Sequence, residues 1–335
     1  MKASIIIRTY NEEERLESCL QAVFSQQASF LFEVIIVDSE STDDTLAIAS
    51  RFPVKIIKTK KKDFTWGKSL NIGCSVASGK YVVFLSGDAV PANGHWLKNL
   101  VKNLNKQDVA GVYGKLIPFP DCNPLEKRIL EEEWPSKKQV QKDNPLFSVT
   151  SAAIRKDVWE AVRFNETIVE AEEQEWAMRV QKLKKTIVFD PEASVFHSHD
   201  ETILRDTSRR YKVMRALYEI HGMKIATEHL QYWLYAHPIK RDIAYIRTHN
   251  YNYTWVVQSI LKNGIFLGAT TLYAILETPV GRTWFFNGAL RLFSKALRFF
   301  NPLPIAYRLS FTLRKRFSTY ARCIDYIKMQ FRTPK

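Results

Sequence analysis

Residues 84–91 read FLSGDAVP and close an apolar run that opens at Tyr81. Five aromatic, β-branched and aliphatic residues in a row (81–85) mark a strand buried on both faces rather than one face of a hairpin. The run ends on a single carboxylate, Asp88, held between small residues and followed by Pro91. An acid at the end of a buried strand is either a helix cap or a ligand for something charged. This segment alone leaves both readings open.

Outward from it, β and α signals alternate. Residues 4–7 (SIII) are a short β-branched run, and residues 13–24 carry apolar side chains at helical spacing. Residues 32–37 (FEVIIV) form a second strand ending at Asp38, and Ser41-Thr42-Asp43-Asp44 is suited to cap a helix reaching about Arg51. Residues 54–57 read as a third strand, and residues 69–77 as a helix stopped by Ser78-Gly79. Apolar strands separated by amphipathic helices imply an α/β fold with a mainly parallel sheet covered on both faces. Ligands of such sheets bind at the carboxyl ends of the strands, so Asp38 and Asp88 are expected to face one crevice. Residues 118–144 loosen into prolines and charge runs, read as a loop or mobile flap around a short LEKRILEEEW helix. Residues 147–199 then close the domain. The expected division is residues 1–204 as catalytic domain and 205–335 as a helical, basic C-terminal region.

Charge supports that division. The 335 residues carry a net charge of +14. Residues 201–335 hold 22 Lys+Arg against 7 Asp+Glu, a net of +15, which leaves 27 against 28 in residues 1–200. Such a segment is attracted to anionic surfaces, phospholipid or nucleic acid. The four cysteines are scattered without metal spacing and fit buried or free thiols of a reducing compartment. The opening MKASIIIRTYNEEE is too weakly apolar for a signal peptide. The uncharged run at 263–276 is 14 residues long, short of the ~20 that span a bilayer. A cytoplasmic protein, soluble or peripheral on the inner face of the membrane, is expected.

Three acidic clusters and a histidine pair carry the chemistry. A carboxylate at Asp38 can accept the imide N–H of a uracil or thymine ring, while Asp43 and Asp44 read equally as caps. Asp88 can hold one edge of Mg²⁺ or Mn²⁺, leaving another for a diphosphate. In AEEQEW (171–176), Glu172 and Glu173 are either a solvated helix start or a pair whose crowding raises a pKa and makes a general base, with Trp176 as an apolar wall. His197 and His199 in VFHSHD are read on one strand, where alternation puts both on one face, and one is a third metal ligand. No glycine-rich phosphate loop, zinc spacing or serine-nucleophile elbow is present.

Taken in order, SIIIRTYNEEE, VIIVDSESTDDT, FTWGKSLNIGCSVASGKYVVFLSGDAVP, AEEQEW and VFHSH resemble glycosyltransferase family 2, the inverting nucleotide-sugar transferases with the GT-A fold. The pattern is most similar to bacterial rhamnosyltransferase-type members. The resemblance implies that Thr9, Tyr10, Glu12 and Asp38 line the nucleotide base and ribose, and that Asn71 lies on the donor side. It further implies that Asp88 is the metal-touching last acid of an Asp-x-Asp motif, that Glu173 is the general base with Glu172 beside it, and that His199 or His197 sits near the diphosphate. Three positions depart from the pattern. Ser86 replaces the first acid of Asp-x-Asp. Leu70 replaces an arginine, leaving phosphate charge to Lys68 or the C-terminal arginines. Glu173 stands where relatives carry Asp. The implied partners are a nucleotide-diphospho-sugar donor, a divalent cation, and a glycan or lipid-linked acceptor.

In the basic region, Phe286, Ala289, Leu290, Phe293, Ala296, Leu297 and Phe300 follow helical spacing, with Arg291, Lys295 and Arg298 on another side. That helix either packs on the catalytic domain or lies in an anionic membrane interface, with LRKRF (313–317) adding charge. Three rival classes are a nucleic-acid-binding protein, for which no recognition module is present, a non-catalytic nucleotide-sugar-binding relative, which Ser86 motivates, and a nucleotidyltransferase, whose usual glycine-rich phosphate loop is absent from SIIIRTYNEEE.

Overall fold

The computed structural model describes residues 2–132, 134–142, 145–199, 201–221 and 238–277. Two compact units divide the chain, Met1–Asp200 and Glu201–Lys335.

The first unit is a nine-stranded mixed sheet with helices on both faces. Its elements in chain order begin β1 (Ala3–Thr9), α1 (Leu16–Phe24), β2 (Phe32–Asp38), α2 (Thr45–Ala49) and β3 (Lys55–Lys58). A 3₁₀ turn (Lys61–Asp63), α3 (Trp66–Val76), β4 (Tyr81–Ser86), β5 (Val90–Pro91) and α4 (Trp96–Asn103) follow. The unit is completed by β6 (Val109–Ile117), α5 (Pro124–Glu132), β7 (Gln139–Gln141), β8 (Ser151–Arg155), α6 (Lys156–Ala161), α7 (Glu172–Lys182) and β9 (Thr186–Phe196). The strand order is β3-β2-β1-β4-β8-β6-β9-β5, with β7 on β9. Strands β1 to β4 pair in parallel, as their continuous apolar runs require. Strand β8 then enters antiparallel between β4 and β6. Two apolar cores flank the sheet, one under α1 and α4 around Ile5, Ile7 and Trp96, the other under α3 and α7 around Ile6, Phe84 and Trp176.

Several boundaries differ from the sequence reading. Helix α1 starts at Leu16, because residues 10–15 form a loop that passes through a left-handed Asn11 (φ 56°). Helix α3 starts at Trp66, because the Thr65 hydroxyl accepts the Lys68 amide (3.1 Å) and caps it. The 118–144 segment is more than a flap: α5 covers β6, and Gln139–Gln141 adds a strand to β9. Cys19 and Cys74 are buried thiols and Cys122 is a half-buried one; none is in a disulfide.

The second unit contains α8 (Ile203–His221), α9 (Pro238–Thr248) and α10 (Thr254–Glu277). The buried Asp242 carboxylate of α9 accepts from Ser259 Oγ (2.6 Å) and Asn263 Nδ2 (3.2 Å) of α10. Among the described residues no helix is long and apolar enough to cross a membrane. The 286–300 helix, the 313–317 cluster and Cys323 lie outside the described residues.

Candidate active site

The turn after β4 shows why its sequence is Ser-Gly-Asp. The Gly87 amide donates to the Arg8 carbonyl (3.2 Å). A Cβ on Gly87 would sit 3.0 Å from each of Arg8 O, Glu12 Cγ and Thr9 Cγ2, so glycine lets the ends of β1 and β4 close on each other. Asp88 follows directly. Its Oδ2 lies 3.4 Å from His197 Nε2 and 4.0 Å from His199 Nδ1. The antiparallel pairing of Val90 with Phe196 draws these segments together. Strand β9 stops at Phe196, so the histidines occupy the loop after it rather than the strand itself. Their rings still meet edge to face, 4.5 Å apart. Burial opposes the charge on Asp88, but the imidazoles of His197 and His199 outweigh it and hold the carboxyl down to about 2. Among the described residues these three side chains place their ligand atoms within 4.8 Å of one another. One carboxylate with two imidazoles is a donor set suited to a first-row divalent ion.

Around this cluster the loop after β1 is latched to the loop after β2. The Ser41 hydroxyl accepts from Asn11 N (2.9 Å), the Thr45 hydroxyl from Glu12 N (2.7 Å), and Asp43 from Glu13 N (3.1 Å). In return Asn11 Oδ1 accepts from Thr42 N (2.8 Å), and Glu13 from Asp44 N (3.0 Å). The SESTDDT polar run therefore satisfies a neighbouring loop as much as its own helix; Asp44, the capping residue of α2, makes no side-chain cap bond. The latch holds Glu12 beside Asp88. Burial, then the charges of Asp88 and Asp43, push the Glu12 carboxyl up to about 8.

Asp38 is wholly out of solvent. It accepts from Thr9 Oγ1 (2.9 Å), Ser41 N (3.0 Å) and Ser41 Oγ (2.5 Å). Its oxygens thus fix Thr9 and the second loop at the carboxyl end of β2. Tyr10 is exposed, with Lys61 Nζ against its ring and hydroxyl. A cavity of about 200 Å³ lies beside this region, lined by Thr59, Lys60, Asp63, Phe64, Lys68, Ser69 and Ile72. Thr59 ties it to Asp38, donating to the Asp38 carbonyl (3.0 Å). Lys68 thus borders that space. Asn71 does not: its amide oxygen accepts from Trp159 Nε1 and Phe164 N, and its nitrogen donates to Phe164 O and Glu166, all within 3.1 Å. Its place is in the support of the 164–166 loop.

Glu172 and Glu173 open α7. Glu172 is buried, not the start of a solvated helix. The helix begins from Ala171 in the left-handed region (φ 62°, ψ 32°), a conformation that costs a non-glycine residue on the order of 1 kcal/mol. Burial raises both carboxyls above the ordinary range; for Glu172 the charge of Glu173 adds to it, while Arg8 opposes the shift in both. Arg8 is the residue that motif reading passed over. Its Nη1 lies 3.6 Å from Glu172 Oε1, and its guanidinium stands over the Trp66 ring at 4.9 Å. A signal existed, since a lone arginine closing the SIII run must find a partner when its strand is buried. Trp176, one turn on in α7, is fully buried between Phe147 and Phe164 and donates to Val162 O (2.6 Å). Both groups meet at β1, since Arg8 receives the Gly87 amide through its carbonyl and reaches Glu172 through its side chain.

The Glycosyl transferase family 2 model matches residues 4–160. The O-antigen chain rhamnosyltransferase WbaN of Salmonella anatum is 30% identical over 219 residues, covering 62% of this chain and 70% of its own. In fold, the chain is similar to the mannosyltransferase PcManGT of Pyrobaculum calidifontis in complex with GDP-Man and Mn²⁺ (TM-score 0.52, 18% identity, 84% of this chain and 82% of that one). It is likewise similar to Staphylococcus aureus TarS 1-349 in complex with UDP-GlcNAc (TM-score 0.52, 21% identity, 82% and 79%). With the GT-A architecture described above and a relative this similar over most of its length, the chain belongs to glycosyltransferase family 2 and is a glycosyltransferase.

Proposed function

We propose that the protein transfers a sugar, rhamnose in the first instance, from a nucleoside-diphosphate donor to a hydroxyl of a glycan or lipid-linked acceptor, with inversion at the anomeric carbon. The observation that supports this most is the arrival of two chemically distinct groups at the carboxyl end of β1: the Asp88–His197–His199 cluster and the raised Glu172–Glu173 pair. The first suits a leaving diphosphate and the second an incoming hydroxyl.

In this reading Glu173 accepts the acceptor's proton as its oxygen attacks the anomeric carbon. The bond to the diphosphate breaks on the opposite face, and its electron pair leaves with the nucleotide. A carboxylate held above its ordinary range is the stronger base. Asp88, His197 and His199 would hold a divalent ion, which supplies positive charge to the departing diphosphate. Two imidazoles among three donors favour Mn²⁺ over the oxygen-seeking Mg²⁺. Lys68 and the cavity it borders lie toward the nucleotide, Tyr10 offers its exposed ring to the base, and Thr9 and Asp38 act by fixing the loops. The net +15 of residues 201–335 supports an acceptor met at an anionic membrane surface.

The test is a panel of thymidine and uridine diphospho-sugars, each with Mn²⁺ and with Mg²⁺, against Glu173→Gln. The variant is expected to bind donor as the wild type does and to lose at least 10²-fold in transfer, the low end of what a general base contributes. Transfer that survives in it removes Glu173 as the base. Donor binding with no transfer by the wild type on any acceptor glycan favours a binding-only relative.

A further inference from the structure

Resting on the assignment of the Glu172–Glu173 pair as the proton acceptor, we propose that Arg8 is a positioning residue which keeps one negative charge on that pair at neutral pH. Glu172 is buried and Glu173 half-buried beside it; the two carboxyls repel, and each loses hydration that would stabilise its charged form. Without a nearby cation both would be held further toward the protonated form, which cannot act as a base. Arg8 is the cation placed to prevent this. It rises from the end of β1, its side chain is 13% exposed, and its Nη1 stands 3.6 Å from Glu172 Oε1. Trp66 caps the guanidinium face, which removes water and strengthens the ion pair.

The surrounding charges leave that task to Arg8. Glu170, in the loop leading into α7, acts on Glu173 in the wrong sense. Glu175, one turn on, is taken by Arg179 (2.6 Å). From α3, packed against α7, Asn71 binds Glu166 (2.9 Å) and brings no cation. Arg8 bears directly on Glu172 at 3.6 Å, and its charge opposes the rise in both carboxyls of the pair. Arg8 Nη1 is itself buried without a hydrogen bond. Its contact with Glu172 is therefore electrostatic, and a bidentate structural clamp would look different.

The experiment is a carboxyl ¹³C NMR titration of the full chain labelled at glutamate, with Glu172→Gln and Glu173→Gln assigning the pair, in the wild type, Arg8→Met and Arg8→Lys. Arg8→Met is expected to move the pair's first ionisation upward by a pH unit or more, and Arg8→Lys to restore most of it. The acidic limb of the transfer rate, once an acceptor is in hand, is expected to move by the same amount with donor affinity unchanged. A titration unmoved in a folded Arg8→Met overturns the proposal, as does a drop in affinity for a nucleoside diphosphate with the titration unchanged. If Arg8→Met fails to fold, Arg8→Lys and Arg8→Gln decide by the same criterion. Should Glu173→Gln retain transfer while Arg8→Met still shifts the titration, the base assignment fails and the charge-setting role of Arg8 stands.

Discussion

At the scale of single residues, the site depends on groups whose oxygens and carbons are already spoken for. Gly87 is one: an alanine there meets backbone and side-chain atoms at 3.0 Å on three sides. Gly87→Ala is expected to cost about 1–3 kcal/mol, as overpacking does, and to weaken Mn²⁺ binding by displacing Asp88; thermal melts and a metal titration read the two effects. Glu12 gives a pH test. With its carboxyl raised from 4.5 to about 8, the folded state keeps a proton that the unfolded chain has lost. That group's stabilising contribution is full below about 4.5 and gone above about 8, so metal-free wild type should lose stability over this window as pH rises. Glu12→Gln should not, and the gap between their melting temperatures should widen from pH 5 to pH 9. Equal gaps at both pH values would refute the assignment. Asp88, His197 and His199 stand out in the sequence because they close or follow apolar runs, and the Glu172–Glu173 pair because adjacent acids are conspicuous. The enclosure of Asp38 is not visible in the sequence, because the Thr9 hydroxyl twenty-nine residues away closes on it together with the local Ser41 turn. The partners of Asn71 are equally hidden, lying about ninety residues away.

At the scale of elements, one contact ties the sheet to the histidines. Strands β6 and β9 shift register between Gly114 and Leu116, and a Cβ on Gly114 would lie 1.7 Å from Ala193 O and 2.9 Å from Ser151 Oγ. The same Ser151 hydroxyl accepts the Trp96 indole (2.9 Å). Gly114→Ala is therefore expected to be among the most damaging single methyl additions, of the order of 3 kcal/mol or more or failure to fold, read by chemical denaturation. Ala171→Gly, by contrast, relieves a left-handed alanine and should raise stability by about 1 kcal/mol while loosening the Glu172–Glu173 pair. The parallel strands were legible as continuous apolar runs. The antiparallel entry of β8 was not, since SAAIR reads the same in either direction. Strand β7 was invisible because QVQ is polar and owes its extended form to β9.

At the scale of the whole molecule, residues 1–200 are near neutral while residues 201–335 carry the charge. Binding of the full chain to vesicles containing anionic phospholipid is expected to fall steeply between 50 and 500 mM salt, and to be absent on neutral vesicles; salt-insensitive binding would contradict an electrostatic role for that region. On this reading Asp88, the two histidines and the Glu172–Glu173 pair serve one bound nucleotide sugar. A crystal structure of the full chain with a nucleoside diphosphate and Mn²⁺, read by anomalous scattering at the manganese edge, tests it most directly. One manganese peak is expected, bonded to Asp88 and at least one of His197 and His199, touching the diphosphate, with Glu173 facing the same cleft. A nucleotide bound elsewhere, or a manganese away from Asp88, would contradict it.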